Sequence, residues 1–284
     1  MTEYSSLQDF VDRRRRLFIL TGAGCSTPSG IPDYRDADGQ WKRPRPVTYQ
    51  AFMREENTRR RYWARSLIGW RRILDARPNG AHRALARLEA TGRIELLLTQ
   101  NVDRLHQAAG TTHVIDLHGR IDRVRCTNCG VRSPRSGLQR ELRRLNPGWS
   151  DLEAPEAPDG DADLSDGDFS AFVVPPCPQC GGVLKPDVVF FGESVPRERV
   201  DAAYDHLEKA DAMLIVGSSL MVYSGFRFVE RAVALGKPAA AINLGRTRAD
   251  GLLALKAEEP CESALSFLLG PEPASGSIQP VHSQ

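Results

Sequence analysis

No apolar run in this 284-residue chain approaches the roughly 18 to 20 residues that a membrane-spanning helix needs. The N-terminus, MTEYSSLQDFVDRRRR, lacks the apolar stretch of a signal peptide. An excess of one charge is missing as well. Lys plus Arg number 38 against 36 Asp plus Glu, a formal charge of +2, so the overall balance attracts neither nucleic acid nor anionic lipid. These absences argue against a membrane protein and a polyelectrolyte binder, and the expectation is a soluble, cytoplasmic protein. Lysine is scarce, with only Lys42, Lys185, Lys209, Lys237 and Lys256 among the basic residues, a bias that fits a GC-rich, bacterial genome and carries no chemistry. Six cysteines are too few for a disulfide scaffold in a chain of this size.

Apolar residues make up 41% of the chain, enough for one large domain or a domain with a satellite. Short unbroken apolar runs read as buried parallel strands: LFIL (17–20), ELLL (95–98), VID (114–116), VVFF (188–191), AMLIV (212–216) and AAAI (239–242). Amphipathic helical stretches lie at 80–91, 199–209 and 225–235. The alternation predicts an α/β fold, a doubly wound parallel sheet whose ligands sit outside the carboxyl ends of its strands. Two segments interrupt it. Residues 43–79 are rich in Arg and aromatics, with Trp63, Leu67, Trp70 and Leu74 spaced as one helical face, and residues 122–184 carry two CxxC pairs. Within the second, residues 151–168 hold eight acidic residues and no basic ones, a solvated loop. Its Asp159, Asp161 and Asp163 suggest calcium, but Leu164 and Ser170 stand where an EF-hand needs Gly and Glu. The Arg run 13–16 reads as a helix C-terminus, and residues 271–284 as a disordered tail.

Five signals carry chemistry. LFIL runs into Thr21, Gly22, Ala23, Gly24 and Cys25, where glycines admit a phosphate to backbone N–H groups beside a helix N-terminus. Thr27 stands where the full dinucleotide fingerprint has glycine, so a plain tight turn is the alternative. The next loop, Ser26 to Arg35, offers Asp33, Tyr34 and Arg35 as polar contacts for a ligand, or is a surface loop. Gln100, Asn101 and Asp103 follow the ELLL run and face the ligand crevice, although Asp103 also suits a helix N-cap. His118 ends another apolar run, directly before Gly119, and imidazole suits proton transfer near neutrality; a lone histidine is otherwise structural. Last, Cys126, Cys129, Cys177 and Cys180 offer four thiolates to one zinc, a closed and therefore structural site. The 47 residues between Cys129 and Cys177 exceed the usual ribbon spacing because the acidic loop is inserted there.

GAGCSTPSGIPDYR (22–35), TQNVDRLH (99–106), LHG (117–119), the cysteine quartet, LKPDVVFFGE (184–193), VGSSL (216–220) and INLG (242–245) together resemble a sirtuin, in family order and over residues 13–269. TRAD (247–250), IPDYR and the long insertion resemble the class II branch, which includes a mitochondrial member with lipoamidase and ADP-ribosyltransferase activities. The resemblance implies a Rossmann-like NAD-binding domain from 1–42, 80–121 and 185–270, with a small domain formed by the helical insertion 43–79 and the zinc-binding insertion 122–184. NAD and an acylated lysine would bind between them. Gly22, Ala23, Gly24, Ser26 and the loop to Arg35 would hold the diphosphate and cover the nicotinamide end. Gln100, Asn101, Val102 and Asp103 would surround the nicotinamide ribose and carboxamide. Gly217, Ser218, Ser219, Asn243, Leu244, Gly245 and Cys261 would line the adenosine half. Phe191, Gly192 and Glu193, with Val222 and Tyr223, would flank the acyl-lysine peptide. Tyr62 and Arg65 resemble the Tyr-x-x-Arg pair of desuccinylating sirtuins, against the alternative that Tyr62 packs and Arg65 is solvated.

The activity so implied is transfer of the acyl group from lysine to ADP-ribose, with His118 as general base, Asn101 beside it and nicotinamide released. Cys25 and Ser224 depart from the pattern, where many relatives carry an aliphatic residue and proline. Mono-ADP-ribosylation, a zinc-ribbon interaction module and a hydride-transferring oxidoreductase are the competing readings. Near-neutral charge and the extent of α/β sequence weigh against the second, and the missing third glycine against the third.

Overall fold

Strands apolar on both faces need a sheet covered on both sides, and five of the six apolar runs form such a sheet. The computed structural model describes residues 5–43, 45–149, 152 and 167–270, and the backbone of 156–157 and 161–162. The expected disordered tail, most of the acidic loop and the side chains of Asp159, Asp161 and Asp163 lie outside the described residues. In chain order the first half comprises α1 (Leu7–Asp12), β1 (Leu17–Thr21), α2 (Tyr49–Arg54), α3 (Glu56–Asp75), α4 (Gly80–Ala90), β2 (Ile94–Thr99), α5 (Leu105–Ala108), β3 (Val114–Asp116), β4 (Gly119–Cys126), β5 (Arg132–Pro134) and α6 (Arg135–Leu145). There follow β6 (Glu156–Ala157), β7 (Asp161–Ala162), β8 (Leu184–Val188), α7 (Arg197–Lys209), β9 (Ala212–Val216), α8 (Tyr223–Ala234), β10 (Ala239–Ile242), β11 (Leu255–Ala257) and α9 (Cys261–Ala264).

The large sheet has the order β11-β10-β9-β1-β2-β3, parallel throughout. β1 is its pivot, with Thr21 opposite Thr99 on one side and Val216 on the other. The strand order reverses between β1 and β9, which makes their carboxyl ends the switch point. One face is covered by Phe10 and Val11 of α1 and by Ala81, Ala84, Leu85 and Leu88 of α4. The other takes Val200, Ala203 and Leu207 of α7 with Phe228, Val229 and Ala232 of α8. The capping residues fix where helices begin and end: Ser6 accepts from the Asp9 amide at the start of α1, Arg13 is its C-cap, and Asn79 with His82 forms a capping box on α4.

The two interrupting segments share one core. Phe52 of α2 and Trp63 and Leu67 of α3 pack with Val124, Leu138, Leu142, Phe172 and Leu184 around the antiparallel sheet β5-β4-β8. Trp63 donates its indole N–H to the Leu184 carbonyl at 3.2 Å. Arg135 is fully buried, its guanidinium 5.2 and 5.0 Å from the Trp63 and Trp70 rings and bonded to Ser66 Oγ at 3.2 Å.

Two sequence expectations change. The VVFF run is not a strand of the large sheet: β8 ends at Val188 in the small one, because the chain must leave the Pro186-bearing edge to form the Phe190–Glu193 turn. Leu74, placed on the buried face of α3, is 56% exposed, since that face loses its cover near the helix end. β4 and β11 are too charged or too short to show as apolar runs.

Candidate active site

At the switch point two loops meet backbone to backbone. Gly22 donates to the Val216 carbonyl at 3.0 Å and Gly24 to the Gly217 carbonyl at 2.9 Å. A Cβ on Gly22 would lie 2.7 Å from Ser218 Cβ, and one on Gly217, whose φ is +65°, would lie 2.3 Å from the Cys25 nitrogen. The glycines are thus needed for close approach of the strand ends themselves. Instead of a long helix, the chain continues from Ala23 as two short 3-10 turns, Ala23–Cys25 and Thr27–Ser29, because Pro28 and the left-handed Gly30 (φ 85°) end them.

Asn101, after β2, ties this turn to the neighbouring loop. Its Nδ2 donates to the Gly22 carbonyl and to Ser26 Oγ, both at 3.0 Å. Ser26 in turn donates to Asp103 Oδ2 at 2.7 Å, while Asp103 Oδ1 accepts from the Leu105 amide at 2.9 Å. Burial raises the Asp103 carboxyl above its ordinary range, against the lowering effect of these hydrogen bonds. The N-cap of α5 is Arg104, in a left-handed conformation (φ 70°), so Asp103 supports the helix start from one residue earlier. Val102 points away, into a patch with Trp70 and Ile121.

His118 lies between β3 and β4. Its Nδ1 is 3.0 Å from the Gln100 carbonyl, which can only accept, so Nδ1 carries the proton and Nε2 is the basic atom. Burial lowers its pKa to about 4, with Arg199 adding to the effect and the Gln100 carbonyl opposing it, so the ring is neutral at pH 7. The Gln100 side chain is held separately, donating to Ser218 Oγ at 2.7 Å.

The loop after Gly30 spans the crevice mouth. Asp33 pairs with Lys42 at 2.5 Å, and Arg35 donates to the Gly39 carbonyl at 2.6 Å while stacking 4.0 Å over Trp41. Tyr34 and Trp41 contact the Phe191 ring edge-on at 5.9 and 5.4 Å. At its other end the loop meets Gly245, where Arg246 donates to the Ala37 carbonyl at 2.7 Å and a Cβ on Gly245 would fall 2.3 Å from that oxygen. The Ser219 carbonyl accepts from Arg248, Asn243 donates to the Gly245 carbonyl at 3.2 Å, and Leu244 is exposed. Gly192 (φ +77°) accepts at its carbonyl from Gln50, whereas Glu193 turns inward to the buried Lys185 at 2.9 Å. Val222 caps α8, and Tyr223 is exposed beneath the Arg227 and Arg248 guanidinium groups. Cys261 is not at the crevice surface: it is buried in the core under β1, and its thiol is pushed up to about 12 by burial. Tyr62 packs edge-on against Phe52 and Trp63 at 5.4 and 5.3 Å and tilted against Phe190 at 5.2 Å, and Arg65 is half-buried one turn further along.

The cysteine quartet closes as the spacing predicts. All four sulfurs lie within 4.8 Å of one another, with Cys126–Cys180 at 3.5 Å and Cys129–Cys177 at 3.8 Å. A tetrahedron with metal–sulfur bonds of about 2.3 Å has edges of about 3.8 Å, so the donor set fits Zn²⁺. A Cβ on Gly182 would crowd two of these sulfurs at 3.0 and 3.2 Å.

Two features escaped the sequence reading. Cys25, His82 and His106 form a buried cluster behind the glycine turn. Burial lowers His82 to about 4 and His106 well below its ordinary value. The other is Ser224, whose hydroxyl is 2.8 Å from His118 Nε2. Only the tertiary pairing of α8 with the β3 end brings it there.

Sheet order, glycine-lined switch point and closed thiol site define a Rossmann-like α/β protein with a zinc-binding satellite. The Sir2 family profile matches residues 22–224, and the chain belongs to the Sir2 family, the sirtuins. It is 70% identical over 264 residues to NAD-dependent protein deacetylase 2 of Bradyrhizobium diazoefficiens, covering 93% of this chain and 97% of that one. To the NAD-dependent protein deacetylase of Xanthomonas campestris it is 68% identical over 266 residues, 94% of this chain and 91% of the relative. Among solved structures it resembles Sir2 with a p53 peptide and NAD+ (TM-score 0.74, 31% identity, covering 92% and 95%). A second is Sir2Tm with a propionylated peptide (TM-score 0.70, 29% identity, covering 92% and 95%).

Proposed function

We propose that this chain is an NAD-dependent protein lysine deacylase that passes the acyl group from lysine to ADP-ribose and releases nicotinamide. The observation that carries the reading is His118, a neutral imidazole at the end of β3 with its basic Nε2 fixed by the Gln100 carbonyl. An amide oxygen is a feeble nucleophile, so the acyl-lysine needs a good leaving group on its partner, and cationic nicotinamide supplies one. NAD is therefore a reagent. Asn101, Ser26 and Asp103 would order the turn against the nicotinamide ribose, and His118 would take a proton from a ribose hydroxyl so that its oxygen attacks the acyl carbon.

The remaining assignments belong to the same reading. Gly22, Ala23, Gly24, Asp33, Tyr34, Arg35 and Gln100 would enclose the diphosphate and nicotinamide end, with Val102 packing behind them against Trp70 and Ile121. Gly217, Ser218, Ser219, Asn243, Leu244 and Gly245 would flank the adenosine half, with Cys261 supporting it from the core. Phe191, Gly192, Glu193, Val222 and Tyr223 would frame the peptide, and Tyr62 with Arg65 the acyl end. Cys126, Cys129, Cys177 and Cys180 would hold one structural Zn²⁺, and residues 43–79 and 122–184 would make up the small domain. The bacterial relatives support a bacterial setting, and the cytoplasm is where NAD is supplied. No helix among the described residues is long and apolar enough to cross a membrane.

The test is nicotinamide release from NAD with and without an acetyl-lysine peptide. Release that requires the peptide supports the reading, and peptide-independent release or none contradicts it.

A further inference from the structure

Both nitrogens of His118 are engaged, and by different parts of the fold. The Gln100 carbonyl accepts a hydrogen bond from Nδ1 at 3.0 Å, and Ser224 Oγ lies 2.8 Å from Nε2. With the proton on Nδ1, Nε2 offers only a lone pair, so the serine hydroxyl must donate to it. Ser224 occupies the first turn of α8, whose N-cap is Val222. The next residue, Gly225, lies so close to Gln100 that a Cβ there would sit 2.6 Å from Oε1. Gln100 therefore fixes one end of the ring through its carbonyl and, through its side chain, the helix start that fixes the other.

We propose that Ser224 is a positioning residue for the general base: its hydroxyl caps His118 Nε2 in the NAD-free enzyme, holds the ring in the orientation whose Nδ1–H form the Gln100 carbonyl sets, and yields that lone pair to the ribose hydroxyl. Once Nε2 carries a proton the same hydroxyl accepts from it, and that charge-assisted bond is the stronger of the two, so Ser224 holds the ring in both states of the proton transfer. The charge that acts on the ring is Arg199 of α7, which donates to the Leu117 carbonyl; on the elements that flank it, Asp116 pairs with Arg104, Arg120 with Asp122, and Arg227 of α8 stacks on Tyr223. None of them donates to Nε2 in the described hydrogen bonds.

The catalytic part of the proposal rests on the deacylase reading, but the ring's protonation does not. Nitrogen-15 NMR of the NAD-free full chain, in wild type, Ser224→Ala and Ser224→Thr, reads the tautomer and titration of His118 directly. Removing a hydroxyl that binds the protonated ring more strongly than the neutral one is expected to move the His118 midpoint downward by roughly half to one pH unit in Ser224→Ala. Ser224→Thr, which retains a hydroxyl, should titrate as wild type. The acidic limb of the pH profile of kcat/KM for NAD should move the same way and by the same amount. An unmoved midpoint in Ser224→Ala, or a threonine variant that behaves like alanine, overturns the cap. A shifted midpoint in a protein without peptide-dependent turnover leaves the cap standing and removes the deacylase reading instead. Shifted NMR with an unmoved kinetic limb overturns the catalytic part alone.

Discussion

The amide of Gly24 donates to the carbonyl of Gly217 at 2.9 Å, joining the loop after β1 to the loop after β9. This contact fixes the geometry of the switch point, and it exists only because neither residue carries a Cβ. Gly217→Ala adds a left-handed strain of about 1 kcal/mol to an overlap with backbone, for a total of about 2–4 kcal/mol. Gly236→Ala has the same strain (φ +68°) but open space around it. Urea denaturation should therefore show Gly217→Ala as clearly the less stable, with NAD binding lost; equal losses would show that the contact is unimportant.

His118→Ala should abolish acyl transfer while NAD binding, followed by calorimetry, stays nearly intact, because the ring bonds to Gln100 and Ser224 and not to the glycine turn. Wild-type turnover in that variant would refute the assignment of the base.

Metal removal should unfold the small domain first. Structural zinc contributes on the order of 10–16 kcal/mol in small peptides, and two of its four sulfurs belong to the core shared by α2, α3 and α6. A strong chelator, or Cys177→Ser, is expected to abolish the near-UV signal of Trp63 and its neighbours. Retention of that signal after complete zinc loss would make the site dispensable.

Stability should fall with acid through the buried histidines. His82 drops from 6.5 in the unfolded chain to about 4 in the fold, and His106 shifts in the same direction. The unfolded chain therefore binds protons first, and stability held above pH 6.5 is lost as pH falls toward 4, by roughly 3 kcal/mol for His82. Urea midpoints at pH 7 and pH 5 should differ more in wild type than in His82→Gln. Equal pH dependence in the two would contradict the assignment.

Acyl choice provides a separate test. If Arg65 holds an acid end group, Arg65→Met should depress turnover of glutaryl-type lysine about tenfold or more, a charge-assisted bond's worth, and leave acetyl-lysine turnover unchanged. Unchanged preference would remove Tyr62 and Arg65 from acyl choice and leave the Tyr62 ring as a packing partner of Phe52, Trp63 and Phe190.

The large sheet was legible because its strands are buried on both faces and so spell unbroken apolar runs, as Leu17–Thr21 and Ala212–Val216 do. β4 was not, since alternate residues such as Arg123 and Arg125 face solvent while Val124 faces the core. The thiol site was legible from spacing alone, as two knuckles need only four sulfurs at short separations. The inward pairing of Glu193 with Lys185 and the core position of Cys261 were not, because direction along a loop depends on contacts from residues far away in sequence. For the same reason Ser224 registered only as a departure from a familiar motif, although it is 106 positions from the imidazole it bonds.

The most direct test is mass spectrometry of NAD incubated with the protein and an acetyl-lysine peptide. The account predicts acetyl-ADP-ribose and deacetylated peptide in equal amounts, with neither formed by His118→Ala. Free acetate with intact NAD, or ADP-ribose attached to the peptide with the acetyl group retained, would contradict it.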